Sequence, residues 1–497
     1  MLKYTTPESC GISSSTIEKF VRRLDENGYS MHSIMMSRKG QVFMEGYWAP
    51  FDSESMMRMN SITKSFVAIA IGLLCEENKL SLSDKVSDFF PEIPKEDISK
   101  YTSELTIENL LAMRTTSVQD GHWVRDGIKD RITPFFTQKA QRPRDTLFYY
   151  DTAAAHILCI IVEKITKMPF YEYMMDKVLR EIGFSEKTCC IKSADGYSWG
   201  DSGLLCRTKD LQSFAEFVMS GGVFDGKRLM NEPFLKQAVS KISDTNGRGF
   251  LAHNTFGYGY QIWRSYDDGF AFFGMGDQLA ICVPKKDFIF VCTADNQGND
   301  GSRPVIMDLL YHDIIKGLGE EALPEDEEAN LKLKNYLKEL KLVSLKGIEK
   351  TSATKNVDGV KYILNNNPMD IEYIRLSFDE TAHEGILEYK NTQGTKFLHF
   401  GMNENVITEF PQVGYPDMQM GVFCEGNKYP CAVSAAWLEE RKIGIRVQMI
   451  GKHLGGLFIT IGFSNDYNDV GIYMNKNTNC FLAEYSGYAG GRKECCF

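Results

Sequence analysis

The chain has 497 residues, 43% hydrophobic and 25% charged, with 56 Lys and Arg against 66 Asp and Glu for a formal net charge of −10. This is the composition of an ordinary globular protein, long enough for two or three domains. The acidic balance, with no dense cluster of Lys and Arg, argues against a nucleic-acid or anionic-membrane partner, and no apolar run reaches the roughly 20 residues of a transmembrane helix. Met1-Leu2-Lys3-Tyr4-Thr5-Thr6-Pro7-Glu8 lacks the apolar core of a signal peptide. The 13 cysteines are scattered, odd in number and without metal-ligand spacing. Reduced thiols in a cytoplasmic setting, and no metal or other cofactor, are therefore expected.

Ser13-Ser14-Ser15 offers N-caps for an amphipathic helix through Ile17, Phe20, Val21 and Leu24, ending near Asn27-Gly28. Residues 33–36 and 41–47 read as a β-hairpin turning at 37–40. Met59-Asn60-Ser61-Ile62-Thr63-Lys64-Ser65-Phe66 is a polar turn that runs into the almost wholly apolar 67–74. Such a helix is too short to span a membrane and belongs in the middle of a domain. Thr106 caps a short helix over 107–113. Residues 115–144, with His122, Trp123 and Pro134, show little periodicity and read either as the wall of a substrate pocket or as a structural loop.

Phe148-Tyr149-Tyr150-Asp151-Thr152 precedes an apolar helix over 153–165, and further helices follow at 170–179 and 210–219. Residues 279–283 and 288–293 pair as strands around the turn 284–287. Strands thus open and close roughly the first 315 residues, with helices between them. That order fits an α+β fold in which an antiparallel sheet is built from both ends of the segment and covered by a mainly helical subdomain. Beyond Gly317 the texture changes. The expected division is a first domain over 1–318, an acidic linker and charged helix over 319–356, and a C-terminal all-β domain, barrel or sandwich, over 357–497.

Ser61 and Lys64 stand three apart and share one face of the first helical turn. A serine hydroxyl there lies near the positive end of the helix dipole, and its own N–H is unpaired within the helix. A lysine one turn later can take the serine's proton if burial or a cationic neighbour lowers its pKa. Alone, Ser-x-x-Lys at a helix start is more often a capping serine beside a solvated lysine. The buried helix behind it and the partners downstream favour the chemical reading.

Those partners carry a resemblance. With the Ser-x-x-Lys tetrapeptide, the segments Gly46-Tyr47, Leu80-Ser81-Leu82-Ser83-Asp84-Lys85-Val86, Phe89-Phe90-Pro91 and Leu110-Leu111-Ala112-Met113 follow the order seen in the serine β-lactamase and penicillin-binding-protein superfamily. Over its first 315 residues or so the chain resembles the class C-like branch, which includes esterases, D-aminopeptidases and 6-aminohexanoate-dimer hydrolases. The resemblance implies that Tyr150, with Tyr149 as the fallback, is the phenol that shares general acid/base work with Lys64. Thr152 stands where the family often has asparagine, which disfavours antibiotic hydrolysis. The third motif, Lys-Thr-Gly in β-lactamases and often His-x-Gly in the esterase-like branch, matches Phe273-Gly274-Met275-Gly276-Asp277-Gln278. Met275 takes the place of the cation that meets a substrate carboxylate.

The resemblance implies an oxyanion hole from the backbone N–H groups of Ser61 and Gln278, or Asp277 one residue earlier. Thr152, Met275, Gly276, Asp277 and Trp123 are the expected substrate-binding residues. The Asp277 charge reads either as a selector of cationic substrates or as a structurally bonded side chain, and His156 as a satisfied core residue. Ala435-Ala436-Trp437 resembles a feature of C-terminal modules appended to some of these hydrolases, with wall, lid and dimerisation roles all open. The expected function is a metal-free serine hydrolase that cleaves a small ester or amide through an acyl-enzyme on Ser61, homo-oligomerisation being left open. The alternatives are a sensor or binding protein that acylates slowly or not at all, and a β-lactamase or D,D-peptidase.

Overall fold

A computed structural model describes residues 2–116, 130–246, 254–299, 301–412, 416–417, 422–423, 429–478 and 482–494. Trp123 and His122 lie outside the described residues. The chain forms two compact units, Met1–Lys341 and Leu342–Phe497.

The first unit is organised on a seven-stranded sheet. Its strands are β1 (Lys3–Tyr4), β2 (Met31–Arg38), β3 (Gln41–Tyr47), β4 (Trp263–Arg264), β5 (Phe270–Gly274), β6 (Gln278–Val283) and β7 (Phe288–Ala294). They lie in the order β1-β3-β2-β7-β6-β5-β4. Every neighbouring pair is antiparallel except the two-residue edge strand β1, which runs parallel to β3. The centre joins the two ends of the segment, with Ile34 facing Cys292 and Met36 facing Phe290. Strands β2, β6 and β7 are buried along their whole length, which is why β6 and β7 read as nearly continuous apolar runs rather than alternating ones.

Helix α1 (Ser14–Glu26) starts at Ser13, whose hydroxyl accepts from the Thr16 N–H at 3.2 Å. It buries Ile17, Phe20, Val21 and Leu24, and Phe20 meets Phe290 edge-on. Helix α2 (Thr63–Glu76) is buried at every position from Thr63 to Leu74. A stripe would not explain its sequence; burial on all sides does. Helix α3 (Thr152–Thr166) packs against it, also almost wholly apolar, capped by Asp151 and ended by Lys167 at φ 61°. Helix α4 (Thr208–Met219) covers β2, β6 and β7. Helix α5 (Ser302–Leu309) follows the sheet.

The charged helix expected in a linker is α6 (Glu327–Lys338), and it belongs to the first unit. Leu333 and Leu340 are buried there, the Arg22 guanidinium sits 3.9 Å over the Tyr336 ring, and Tyr336 donates to Asp25. The acidic stretch before it is also anchored, since Gly319 N–H donates to Gly11 and Leu323 N–H to Glu8. Its charges face solvent while its backbone and the buried Leu318 tie it down, so a composition shift at 317 does not mark the end of the unit.

The second unit is a closed nine-stranded barrel. Its strands are β8 (Lys361–Leu364), β9 (Tyr373–Phe378), β10 (Glu384–Asn391), β11 (Gly394–Met402), β13 (Pro430–Glu439), β14 (Lys442–Ile450), β15 (Leu454–Phe463), β16 (Asp469–Lys476) and β17 (Gly487–Lys493), with β12 (Val406–Glu409) added on β13. Around the barrel the order is β11-β10-β9-β8-β17-β16-β15-β14-β13, closed where Gly401 and Met402 of β11 pair in parallel with Ser434 and Ala435 of β13. Trp437, Leu387, Leu398, Ile445 and Ile461 are fully buried in it.

Candidate active site

Ser61 sits in a short 3-10 turn, Asn60–Ile62, that leads straight into α2. Neighbouring backbone holds the turn, since Met59 N–H donates to Leu204 at 2.8 Å and Leu204 N–H donates to the Thr63 hydroxyl at 3.2 Å. One helical turn on, the Lys64 side chain is 1% exposed. Its Nζ donates to Ser61 Oγ and to the Asp201 carbonyl, each at 2.9 Å. The two bonds fix the amine beside the hydroxyl rather than letting it reach solvent.

The Asp201 segment is itself braced. Arg58 donates to the Ser202 carbonyl at 3.1 Å and stacks over Trp199 at 4.2 Å, and Arg131 approaches the Asp201 carboxylate at 4.0 Å, with both side chains of that pair buried. A buried pair of this kind does not return its desolvation cost as stability. Here it fixes the main-chain oxygen that receives the lysine.

Tyr150 precedes α3, with its ring centroid 5.3 Å from Lys64 Nζ. The ring stacks on Trp263 at 5.5 Å and meets Tyr258 edge-on at 6.2 Å. Tyr258 is wholly buried, and burial, with Tyr150 beside it, pushes its phenol well above the ordinary value. Asp151 is used by the fold: it accepts from Ala153 N–H at 3.0 Å and from the Thr115 hydroxyl at 2.7 Å. Thr152, half-buried, is the first residue of α3. Tyr149 lies apart, under the Arg142 guanidinium at 5.2 Å.

The third expected segment is the turn from β5 to β6, in which Gly274 faces Gln278. It meets the Ser61 turn directly. A Cβ on Gly274 would lie 2.4 Å from the Met59 carbonyl oxygen, so only glycine permits this approach. Asn60 Nδ2 donates to the Met275 carbonyl at 2.9 Å. The same oxygen accepts from Gln278 Nε2 at 3.1 Å, and Gln278 also donates to Ala294.

Asp277 corrects one expectation. Its side chain is buried at φ 69° and accepts from Asn296 at 3.1 Å, from Arg303 at 3.2 Å and from Ser302. A carboxylate so bonded is spent on fixing the turn and does not present its charge to a substrate. Met275 is half-buried, and Gly276 takes φ 75°.

Ser61, Lys64, the Tyr150 ring and the 274–278 turn are thus joined by contacts within one unit. Asn60, Asp201 and Trp263 complete this arrangement without having been singled out in the sequence. The Ser-Ile-Thr-Lys run contains Asn60's neighbour, but nothing local marks the asparagine itself. His156 is buried on α3 and pairs with Asp195 at 2.7 Å. Burial raises the Asp195 carboxyl, and the His156 bond and charge outweigh it, leaving Asp195 below its ordinary value. Among the described residues no group of three or more His, Cys, Asp or Glu is placed to hold a metal ion, and no helix is long and apolar enough to cross a membrane.

The chain is similar to known proteins. The chain is 20% identical over 237 residues to the 6-aminohexanoate-dimer hydrolase of Paenarthrobacter ureafaciens, an alignment that covers 44% of this chain and 59% of that protein. The chain therefore spans less than two thirds of that relative's length. Among solved structures, the D-amino acid amidase of Ochrobactrum anthropi SV3 matches with a TM-score of 0.50 at 14% identity, over 61% of this chain and 99% of that one. SurE with D-Leu matches with a TM-score of 0.50 at 13% identity, over 96% and 99%. These likenesses show the fold. Residues 17–307, more than half of the sequence, match the Beta-lactamase family. The chain belongs to the Beta-lactamase family.

Proposed function

We propose that this chain hydrolyses a small ester or amide through a covalent acyl-enzyme on Ser61. The observation that carries the reading is the 2.9 Å contact between Lys64 Nζ and Ser61 Oγ, with Lys64 buried and tied to the Asp201 carbonyl. With the amine neutral, the same contact carries the serine proton to Nζ as Oγ attacks the carbonyl carbon. Tyr150, its ring beside Nζ, passes that proton to the departing alkoxide or amine as the acyl–leaving-group bond breaks. Water then attacks the acyl-serine, gives its proton back through the same pair, and releases the acid.

The negative oxygen of each tetrahedral intermediate sits between the N–H groups of Ser61 and Gln278. The packing of Gly274 on Met59 and the Asn60–Met275 bond support this pairing. Thr152, Met275 and Gly276 border the substrate. The relative named for hydrolysis of a 6-aminohexanoate dimer favours an amide among the acyl substrates.

The test is intact mass after incubation with a fluorophosphonate, on wild type and Ser61→Ala, followed by turnover of p-nitrophenyl esters and small amides. The expected result is one adduct on wild type, none on Ser61→Ala, and turnover lost with it. Equal labelling of both proteins removes Ser61 as the nucleophile. A lasting adduct without turnover puts the sensor reading ahead.

A further inference from the structure

We propose that Asn60 is a positioning residue that sets the distance between the two halves of the oxyanion site. The inference rests on the assignment of Ser61 as nucleophile. Asn60 precedes the nucleophile, is 2% exposed, and stands at φ 48°, a left-handed conformation that asparagine tolerates better than most residues. That backbone turns its side chain onto the Met275 carbonyl at 2.9 Å, and Gln278 Nε2 takes the same oxygen at 3.1 Å, so both lone pairs are used.

The 274–278 turn is therefore pinned on two sides. On the far side Asp277 binds Asn296, Ser302 and Arg303. On the near side Gly274 rests on the Met59 carbonyl, and the Asn60 bond is the side-chain link from the turn to the backbone next to Ser61. The donor N–H of Ser61 lies one residue beyond one end of that bond, and that of Gln278 lies three residues beyond the other. Losing it frees the two donors to move separately. Because the two donors meet the oxygen most strongly when it carries the negative charge, the loss falls chiefly on the transition state.

Two substitutions separate this role from a structural one. Asn60→Gly keeps the left-handed backbone at no steric cost and deletes the donor. Asn60→Asp keeps the shape and, when ionised, sets an acceptor against the Met275 carbonyl. The measurements are kcat and KM for a p-nitrophenyl ester, the fluorophosphonate labelling rate, and Tm.

Both variants are expected to lose about 10- to 100-fold in kcat and in labelling rate, with KM within about two-fold and with the Tm of Asn60→Gly close to wild type. Acidification from pH 8 to 5 is expected to raise the Asn60→Asp rate relative to Asn60→Gly, because a protonated carboxyl donates where the amide did. Wild-type kcat in Asn60→Gly, or a pH-independent ratio between the variants, overturns the proposal while Ser61→Ala remains unlabelled. Labelling of Ser61→Ala at the wild-type rate overturns the nucleophile assignment, and this inference with it.

Discussion

With Trp263 stacked at 5.5 Å and Tyr258 edge-on, the Tyr150 ring takes its place from packing, so Tyr150→Phe removes the phenol and leaves the fold. Turnover of an activated ester is expected to fall roughly 10²- to 10⁴-fold, with Tm unchanged, as steady-state kinetics and thermal unfolding will show. Asp277 behaves in the opposite way. Asp277→Ala removes the carboxylate that Asn296, Ser302 and Arg303 share, leaving Ser302 only Asn299 and Arg303 only Gly274 as acceptors among the described residues, and is expected to cost about 3 kcal/mol of stability, read by urea unfolding. Its ratio of kcat/KM between cationic and neutral esters should match wild type; a changed ratio would return the charge to a substrate role. Ser61 and Lys64 were legible in the sequence because their relation is local, three residues apart on one helical turn. Asn60 was not, because its partner lies 215 residues away and an asparagine before a helix is ordinary turn chemistry. Trp263 and Asp201 were missed for the same reason: one acts through a ring face and the other through a main-chain oxygen, and neither leaves a spacing.

The apolar helices and paired strands of the first unit were readable because burial on both faces writes continuous hydrophobic runs. In the barrel two strands form against their local composition. Pro430–Glu439 is rich in alanine yet forms a strand, since β14 pairs along it from Cys431 to Glu439. Gly487–Lys493 carries three glycines and is held as a strand between β8 and β16. Tertiary pairing overrides local preference in both. Helix α2 yields a test at this scale. A Cβ at Gly72 would fall 2.4 Å from Met230 Cε and 2.5 Å from the Phe234 ring. Gly72→Val therefore overpacks the helix and is expected to cost about 1–3 kcal/mol, measured by denaturant midpoint.

At the scale of the whole molecule, stability acquires a pH dependence from His32, buried on β2 and stacked on Phe51 at 4.0 Å. Burial pushes its imidazole down to about 3, whereas in the unfolded chain it titrates near 6.5. The unfolded state thus binds the extra proton between these values, so this contribution is whole above about pH 6.5 and is lost as pH falls towards 3. From pH 7 to 5 the loss is about 2 kcal/mol. Urea unfolding at both pH values should show a smaller drop for His32→Phe than for wild type. The closure of the barrel bears on how the protein fails. A sheet with long free borders is a template on which other copies polymerise into fibrils. Here the nine strands seal one another, and the strand added outside the ring, β12, is four residues long and ends in Glu409, though it exposes Ile407. Among the described residues the seam is held by the pairs 401–434 and 402–435, by the Asn403 N–H donating to Ala435, and by β12 pairing along residues 430–433 beside them. Parting this seam would bare the long edges of β11 and β13, which makes it the gatekeeper of the barrel's solubility.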